Sequence, residues 1–183
     1  MLFQTIETER LILREMDESD FEAIHTYAQD PEVSKYQPWG PNSEEETWGY
    51  LQQVLLLQRQ SPRKGFEIAV VLKEENLLIG ACSVHVSDAE NREGWMGYCY
   101  NKAYWGQGYA SEAAKAILEF GFRNLGLHRI FATCDPDNIG SARVLEKAGM
   151  QREGRLREHK LQKGKWRDSY LYAVLEGEYL AEA

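Results

Sequence analysis

Trp105-Gly106-Gln107-Gly108-Tyr109-Ala110-Ser111-Glu112-Ala113 stands where one periodicity gives way to another. Before it, Gly94–Tyr100 has the character of a strand. After it, Ala113, Ala114, Ile117, Leu118 and Phe122 recur at helical spacing to about Leu125, and Gly126 supplies a stop. A strand, two glycines and a helix start make a backbone device. The first N–H groups of a helix have no intrahelical acceptor, glycine lets a ligand come close, and the helix dipole adds positive potential. Such a turn holds phosphate without a lysine. The glycine pair alone fits a tight strand-to-helix turn equally well.

Downstream lies a second unit of the same kind. Arg129–Cys134 is a strand, Asp137 or Asn138 caps a helix over Ile139–Ala148, and Gly149 closes it. Parallel neighbours of this type bring both helix starts to one sheet edge, where a long ligand can lie between them. Asn138 then offers an amide to a peptide-like arm, and Ser141 sits one turn into the helix. Read alone, Asn138 is an N-cap and Ser141 a residue satisfying backbone donors; beside a glycine cradle, the pair points to a ligand. Upstream, Leu11-Ile12-Leu13 is a short strand, Asp17 opens a helix ending at Asp30-Pro31, and Ser43 opens a second running to about Gln60. Phe66–Leu72, Leu77–Val86 and Gly94–Tyr100 read as an antiparallel meander. The end of the chain gives two strands, Gln151–Leu161 and Trp166–Val174, around a Gln162–Lys165 turn. The fold class is α+β: one mixed central sheet flanked by helices.

Length and composition bound this reading. The 183 residues fit a single domain, 1–183, that buries about 70% of its unfolded surface without disulfide or metal staples. A net charge of −8 argues against nucleic acid as a partner and suits a cationic acceptor. Cys82, Cys99 and Cys134 form no ligand pattern, so no metal is expected and a reducing, cytoplasmic setting is. The opening MLFQTIETERLILRE lacks an apolar core of the signal-peptide kind. The strongest apolar run, Val54–Leu57, is far too short for a membrane span.

Several spaced motifs in one order carry a resemblance that no single one could. Thr8–Arg14, Trp105–Ala113, Asn138 with Ser141, Leu145-Glu146-Lys147, Gly149-Met150, Glu153–Arg157, Gly164-Lys165-Trp166 and Asp168 resemble the GNAT N-acetyltransferase superfamily, in particular its ribosomal-protein N-terminal acetyltransferase branch. The resemblance implies a GNAT-type acyl-CoA N-acyltransferase fold with two splayed parallel strands around the cofactor. It implies acetyl-CoA as co-substrate and direct attack of a neutral amine on the thioester, with no covalent enzyme intermediate. By the same resemblance, Tyr98, Cys99 and Tyr100 hold the pantetheine arm through backbone hydrogen bonds. Trp105, Gly106, Gln107, Gly108, Tyr109 and Ala110 cradle the pyrophosphate, and Asn138 contacts the pantetheine. Trp105 departs from the Gln or Arg that often opens this motif, leaving phosphate to the backbone.

A second departure concerns the proton for the leaving thiolate. Many relatives carry a tyrosine where Leu145 stands, so Ser141 becomes the candidate to hydrogen-bond the developing charge. The incoming ammonium must also lose a proton. Glu67, His85, Glu93, Glu158 and His159 are candidates, with Glu158 favoured because the C-terminal hairpin borders the acceptor site in related folds. Alternation puts Glu67 and Ile68 on opposite faces without saying which faces the cleft. Tyr36, Trp39 and Trp48 make an aromatic region, and Trp39 is the candidate substrate wall. The expected acceptor is an amine-bearing small molecule or a protein N-terminus. The chain is expected as a monomer or a homodimer, with the strand Tyr170–Val174 either pairing across a dimer or lying inside the sheet. Two rival functions remain: a non-catalytic acyl-CoA-binding module, and a dinucleotide-binding oxidoreductase. The latter suffers from Ser111 standing where a third glycine belongs.

Overall fold

The computed structural model describes residues 3–182, in which eight strands form one sheet. In chain order these are β1 (Ile6–Glu7), β2 (Leu11–Glu15), β3 (Gly65–Leu72), β4 (Leu77–Asp88), β5 (Glu93–Tyr100), β6 (Arg129–Cys134), β7 (Gln151–Gln162) and β8 (Lys165–Leu175). The helices are α1 (Phe21–Ala28), α2 (Glu44–Gln58), α3 (Tyr109–Arg123), α4 (Ile139–Lys147) and α5 (Glu176–Glu182). The sheet order is β1-β2-β3-β4-β5-β6-β8-β7, and every neighbouring pair is antiparallel except β5 and β6.

Local chemistry sets the helix starts. Asp17 accepts from the N–H of Ser19 and Asp20 reaches back to the N–H of Asp17, so a 3₁₀ turn leads into α1. Ser43 and Glu46 form the same reciprocal box ahead of α2. Gly108 precedes α3 in the left-handed region, at φ 87°, a conformation that costs glycine little.

Strand alternation sorts the core into two layers. Ile68, Val70, Cys82, Val84, Met96 and Ile130 face one way and pack on α3 through Ala113, Ala114, Ile117 and Leu118. Ala69, Val71, Leu78 and Ala81 face the other way, beneath α1 and α2, where they meet Ile24, Tyr27, Leu51 and Val54. Glu67 shares parity with Ala69, so its side chain lies on the α1/α2 side. β8 inserts between β6 and β7, with Ile130 opposite Val174 and Arg152 opposite Tyr172. The strand Tyr170–Val174 is therefore interior to the sheet and has no free edge to offer a second copy.

Two elements go beyond the sequence reading. β1 is too short to alternate detectably. α5 is anchored by contacts that lie outside its own residues, such as the Tyr179 hydroxyl donating to the Lys115 carbonyl at 2.7 Å.

Candidate active site

β5 and β6 hydrogen-bond only where Glu93–Trp95 runs beside Arg129–Phe131. Beyond that point the two strands part, and the inner backbone edges of Met96–Tyr100 and Ala132–Cys134 no longer pair with each other. A parallel pair that opens midway makes a wedge in the sheet, and a cavity of about 940 Å³ occupies it. Its walls bring together residues far apart in sequence: Trp39, Glu67, Tyr98, Cys99, Asn138 and Ser141 all line it. The segment between α1 and α2 roofs the space. The Lys163 ammonium donates to the Ser34 carbonyl at 2.8 Å, and the Tyr36 hydroxyl to the Asp137 carbonyl at 3.2 Å.

At the wedge mouth, α3 begins with its first amides free of intrahelical acceptors. Gly106 and Gly108 have φ of 76° and 87°, and a Cβ on Gly106 would meet nothing within 4 Å. The turn is open to an anion, and the helix dipole favours one there. A clamp from the turn between β1 and β2 fixes it. Thr8 Oγ1 and the Arg10 N–H donate to one Glu112 oxygen at 2.6 and 2.9 Å, and Arg10 Nε donates to the other at 2.8 Å. Arg10 also donates to the Gln107 carbonyl at 3.0 Å and lies over the Tyr109 ring at 4.4 Å. Burial opposes ionisation of Glu112, yet the bonds from Thr8 and Arg10 outweigh it and hold the carboxyl below its ordinary value. The Thr8/Arg10 clamp is absent from the sequence reading, because its partners are separated by 102 or more positions and no periodicity links them.

Trp105, at the head of this turn, is held by its side chain. Its indole N–H donates to the Tyr100 carbonyl at 2.9 Å, tying the end of β5 to the turn. That carbonyl is thereby engaged, and the edge of β5 left unpaired by β6 lies beside Tyr98 and Cys99. Tyr100 itself is buried in the α3 layer.

Asn138 is the N-cap of α4, its Oδ1 accepting from the Ser141 N–H at 3.1 Å. Asn138 also lines the cavity. Ser141 Oγ lies 2.9 Å from the Tyr98 hydroxyl, which also donates to the Ser141 carbonyl at 3.0 Å. Burial drives the Tyr98 hydroxyl far above the ordinary phenol range, against the opposing effect of the Ser141 bond, so it stays protonated. Leu145, fully buried, lines the same wall.

Cys99 and Cys134 line the cavity as thiols, which burial pushes up to about 12 and about 11. Neither is ionised near neutrality, so neither is primed as a nucleophile.

The favoured base candidate lies elsewhere. Glu158 sits exposed at a bulge of β7 with φ 49°, its N–H donating to Asp168 Oδ1 at 2.8 Å. Its side chain borders a shallow surface hollow of the hairpin and does not line the wedge, as the neighbouring His159 does. Glu93 is bound to Arg129 at 2.7 Å. Glu67, by contrast, lies within the cavity wall beside His85 and Tyr50.

The sequence profile of the acetyltransferase (GNAT) domain matches residues 10–151. YnaD of Bacillus subtilis (strain 168), described as an uncharacterized N-acetyltransferase, is 38% identical over 174 residues, spanning 95% of this chain and 98% of its own. The crystal structure of a GNAT-family acetyltransferase from Bacillus anthracis superposes with a TM-score of 0.84 at 39% identity, covering 95% of this chain and 99% of that one. A ribosomal-protein-S5-alanine acetyltransferase from Vibrio fischeri follows with a TM-score of 0.83 at 26% identity, over 97% and 99% of the two chains.

Proposed function

Because the chain belongs to the GNAT acetyltransferase family, we propose that it transfers the acetyl group of acetyl-CoA directly to a primary amine in the wedge between β5 and β6. The observation carrying this reading is the alignment of three features along one sheet edge. These are an open glycine turn at Gly106–Gly108, unpaired strand edges beside Tyr98 and Cys99, and the Ser141 hydroxyl facing the same cavity. The residues fit the co-substrate part by part. The amides from Gly106 to Ala110 take the pyrophosphate, the freed β5 edge and Asn138 take the pantetheine arm, and the thioester lies near Ser141.

Acetyl-CoA supplies the activated acyl group; the protein supplies geometry and charge. Ser141 Oγ donates toward the sulfur as negative charge develops there, the single Tyr98 O–H then turning from the Ser141 carbonyl to Oγ, 2.9 Å away. The protonated state of Cys99 and Cys134 supports direct attack over an acetyl-cysteine route. The acceptor includes a protein N-terminus in this reading, the S5-alanine acetyltransferase likeness being its support. The three free cysteines suit a cytoplasmic setting.

The test begins with thermal unfolding in the presence of acetyl-CoA, CoA or NADH, since a ligand of the native state raises the midpoint. A rise with acetyl-CoA and CoA alone, followed by thiol release on adding amines, is expected. A rise with NADH alone would favour a dinucleotide enzyme. Binding of acetyl-CoA without turnover on any amine would favour a non-catalytic acyl-CoA module.

A further inference from the structure

Four carboxylates line the cavity, and three of them are committed. Asp135 is paired with Arg167 at 2.8 Å, Asp168 with Arg155 at 2.6 Å, and Glu46 accepts from the Ser43 N–H at 2.8 Å. Glu67 differs. Among the described residues it meets no lysine or arginine; its contacts are His85 Nε2 at 2.7 Å and the Tyr50 hydroxyl at 3.4 Å. Its side chain is only 18% exposed, so this carboxylate is held away from bulk water with its second oxygen weakly occupied. Removing a carboxylate from water without a cation is unfavourable, and such a site attracts one.

Position strengthens the case. Glu67, Ser83 and Gly97 stand opposite one another across β3, β4 and β5. Neighbouring strands lie about 4.8 Å apart, so β3 is about 10 Å from β5. Gly97 has no side chain and Ser83 a small one, which leaves the row hollow from Glu67 to the edge where β5 leaves β6. Tyr50, Trp39 and Trp95 stand along this hollow as aromatic walls. His85 is held behind the carboxylate. Its ring stacks on Trp95 at 4.1 Å, and a Cβ on Gly65 would meet its Nδ1 at 2.7 Å.

We infer that Glu67 is the acceptor-side catalytic residue: it binds the protonated primary amine of the substrate in the hollow above Ser83 and Gly97, and takes its proton before attack. This rests on the acetyl-transfer reading above. The carboxylate accepts one proton from the ammonium, leaving a neutral amine and a carboxylic acid. The amine lone pair then forms the C–N bond as the C–S bond breaks; the sulfur leaves with that electron pair beside Ser141 and takes the second proton shed by the acylated nitrogen, leaving an amide, a thiol and a protonated Glu67 that returns its proton to water. His85 acts through Glu67 as a positioning residue, donating from Nε2 to keep the free oxygen turned to the hollow. The substrate class is therefore a cationic primary amine on an arm slim enough to pass between aromatic rings.

The experiment measures CoA thiol release with two probes, spermidine and a short peptide with a free N-terminus, on the full chain. Glu67→Gln is expected to lower kcat/KM for the amine about a hundredfold, with the KM for acetyl-CoA unchanged. His85→Gln, which keeps an N–H donor, is expected to retain most of the rate that His85→Leu loses. Wild-type rates in Glu67→Gln, or a loss found in Glu158→Gln instead, overturn this inference and leave acetyl transfer standing. Loss of acetyl-CoA affinity together with the rate in Glu67→Gln also overturns it, as that marks a structural role. A wild-type chain that binds acetyl-CoA yet releases no thiol with either probe overturns the acceptor reading as a whole.

Discussion

Ser141 carries one hydroxyl whose partner geometry is already fixed by Tyr98. Ser141→Ala is expected to lower kcat by about tenfold to a hundredfold while leaving acetyl-CoA affinity intact, because a donor aimed at developing charge acts mainly in the transition state. Tyr98→Phe is expected to produce a smaller loss in the same direction, and steady-state kinetics with both substrates varied checks the pair. The sequence reading reached Ser141 through its spacing from Asn138 and its place beside the glycine turn. It could not choose Glu67, because alternation defines two faces and only the packing of α1 and α2 says which one lines the cavity. Its preference for Glu158 came from the hairpin as an element. The bulge between Leu156 and Lys160 then turned that residue outward, which periodicity does not reveal.

The turn before α3 joins two elements, and its predictions belong to both. Gly108→Ala puts a side chain at φ 87°, where L-residues pay about 1 kcal/mol. The new Cβ would stand 3.3 Å from the flexible Arg10 guanidinium, so backbone strain is the larger penalty. The expected result is a melting temperature lower by about 2–4 °C for a domain of this size, with weaker CoA binding. Glu112→Gln leaves the helix intact but loosens the Thr8 and Arg10 clamp. Isothermal titration is expected to show reduced CoA affinity with an unchanged fold by circular dichroism. At the start of α2, Ser43→Ala removes half of a capping box and is expected to cost about 1 kcal/mol in urea unfolding. Helices, meander and hairpin were legible as elements because each has a cap, a glycine stop or a turn of its own. β1 and α5 were not, since their placement depends on β2 and α3.

Charge acts on the molecule as a whole. Asp17, Asp30, Asp88, Glu112 and Asp168 are all held below their ordinary values, by hydrogen bonds from neighbouring backbone and side-chain donors that outweigh burial. A carboxyl lowered in the native state stabilises it above the unfolded value, near 4, and that contribution is lost as pH falls through the lowered one. Urea midpoints are therefore expected to hold steady from neutrality to about pH 5 and to fall steeply below pH 4. A flat profile through that window would contradict this assignment.

The insertion of β8 between β6 and β7 has a temporal side. β7 joins the sheet only through β8, and β6 lacks its outer neighbour until residues 165–175 arrive. During synthesis, then, the cavity edge of β6 leaves the ribosome before the strand that shields its other edge. Long-range pairing of this kind is slow, and an unpaired strand edge invites wrong partners. The nascent chain waits, half closed, for its last long strand, and in that interval the outer edge of β6 stands open to other strands.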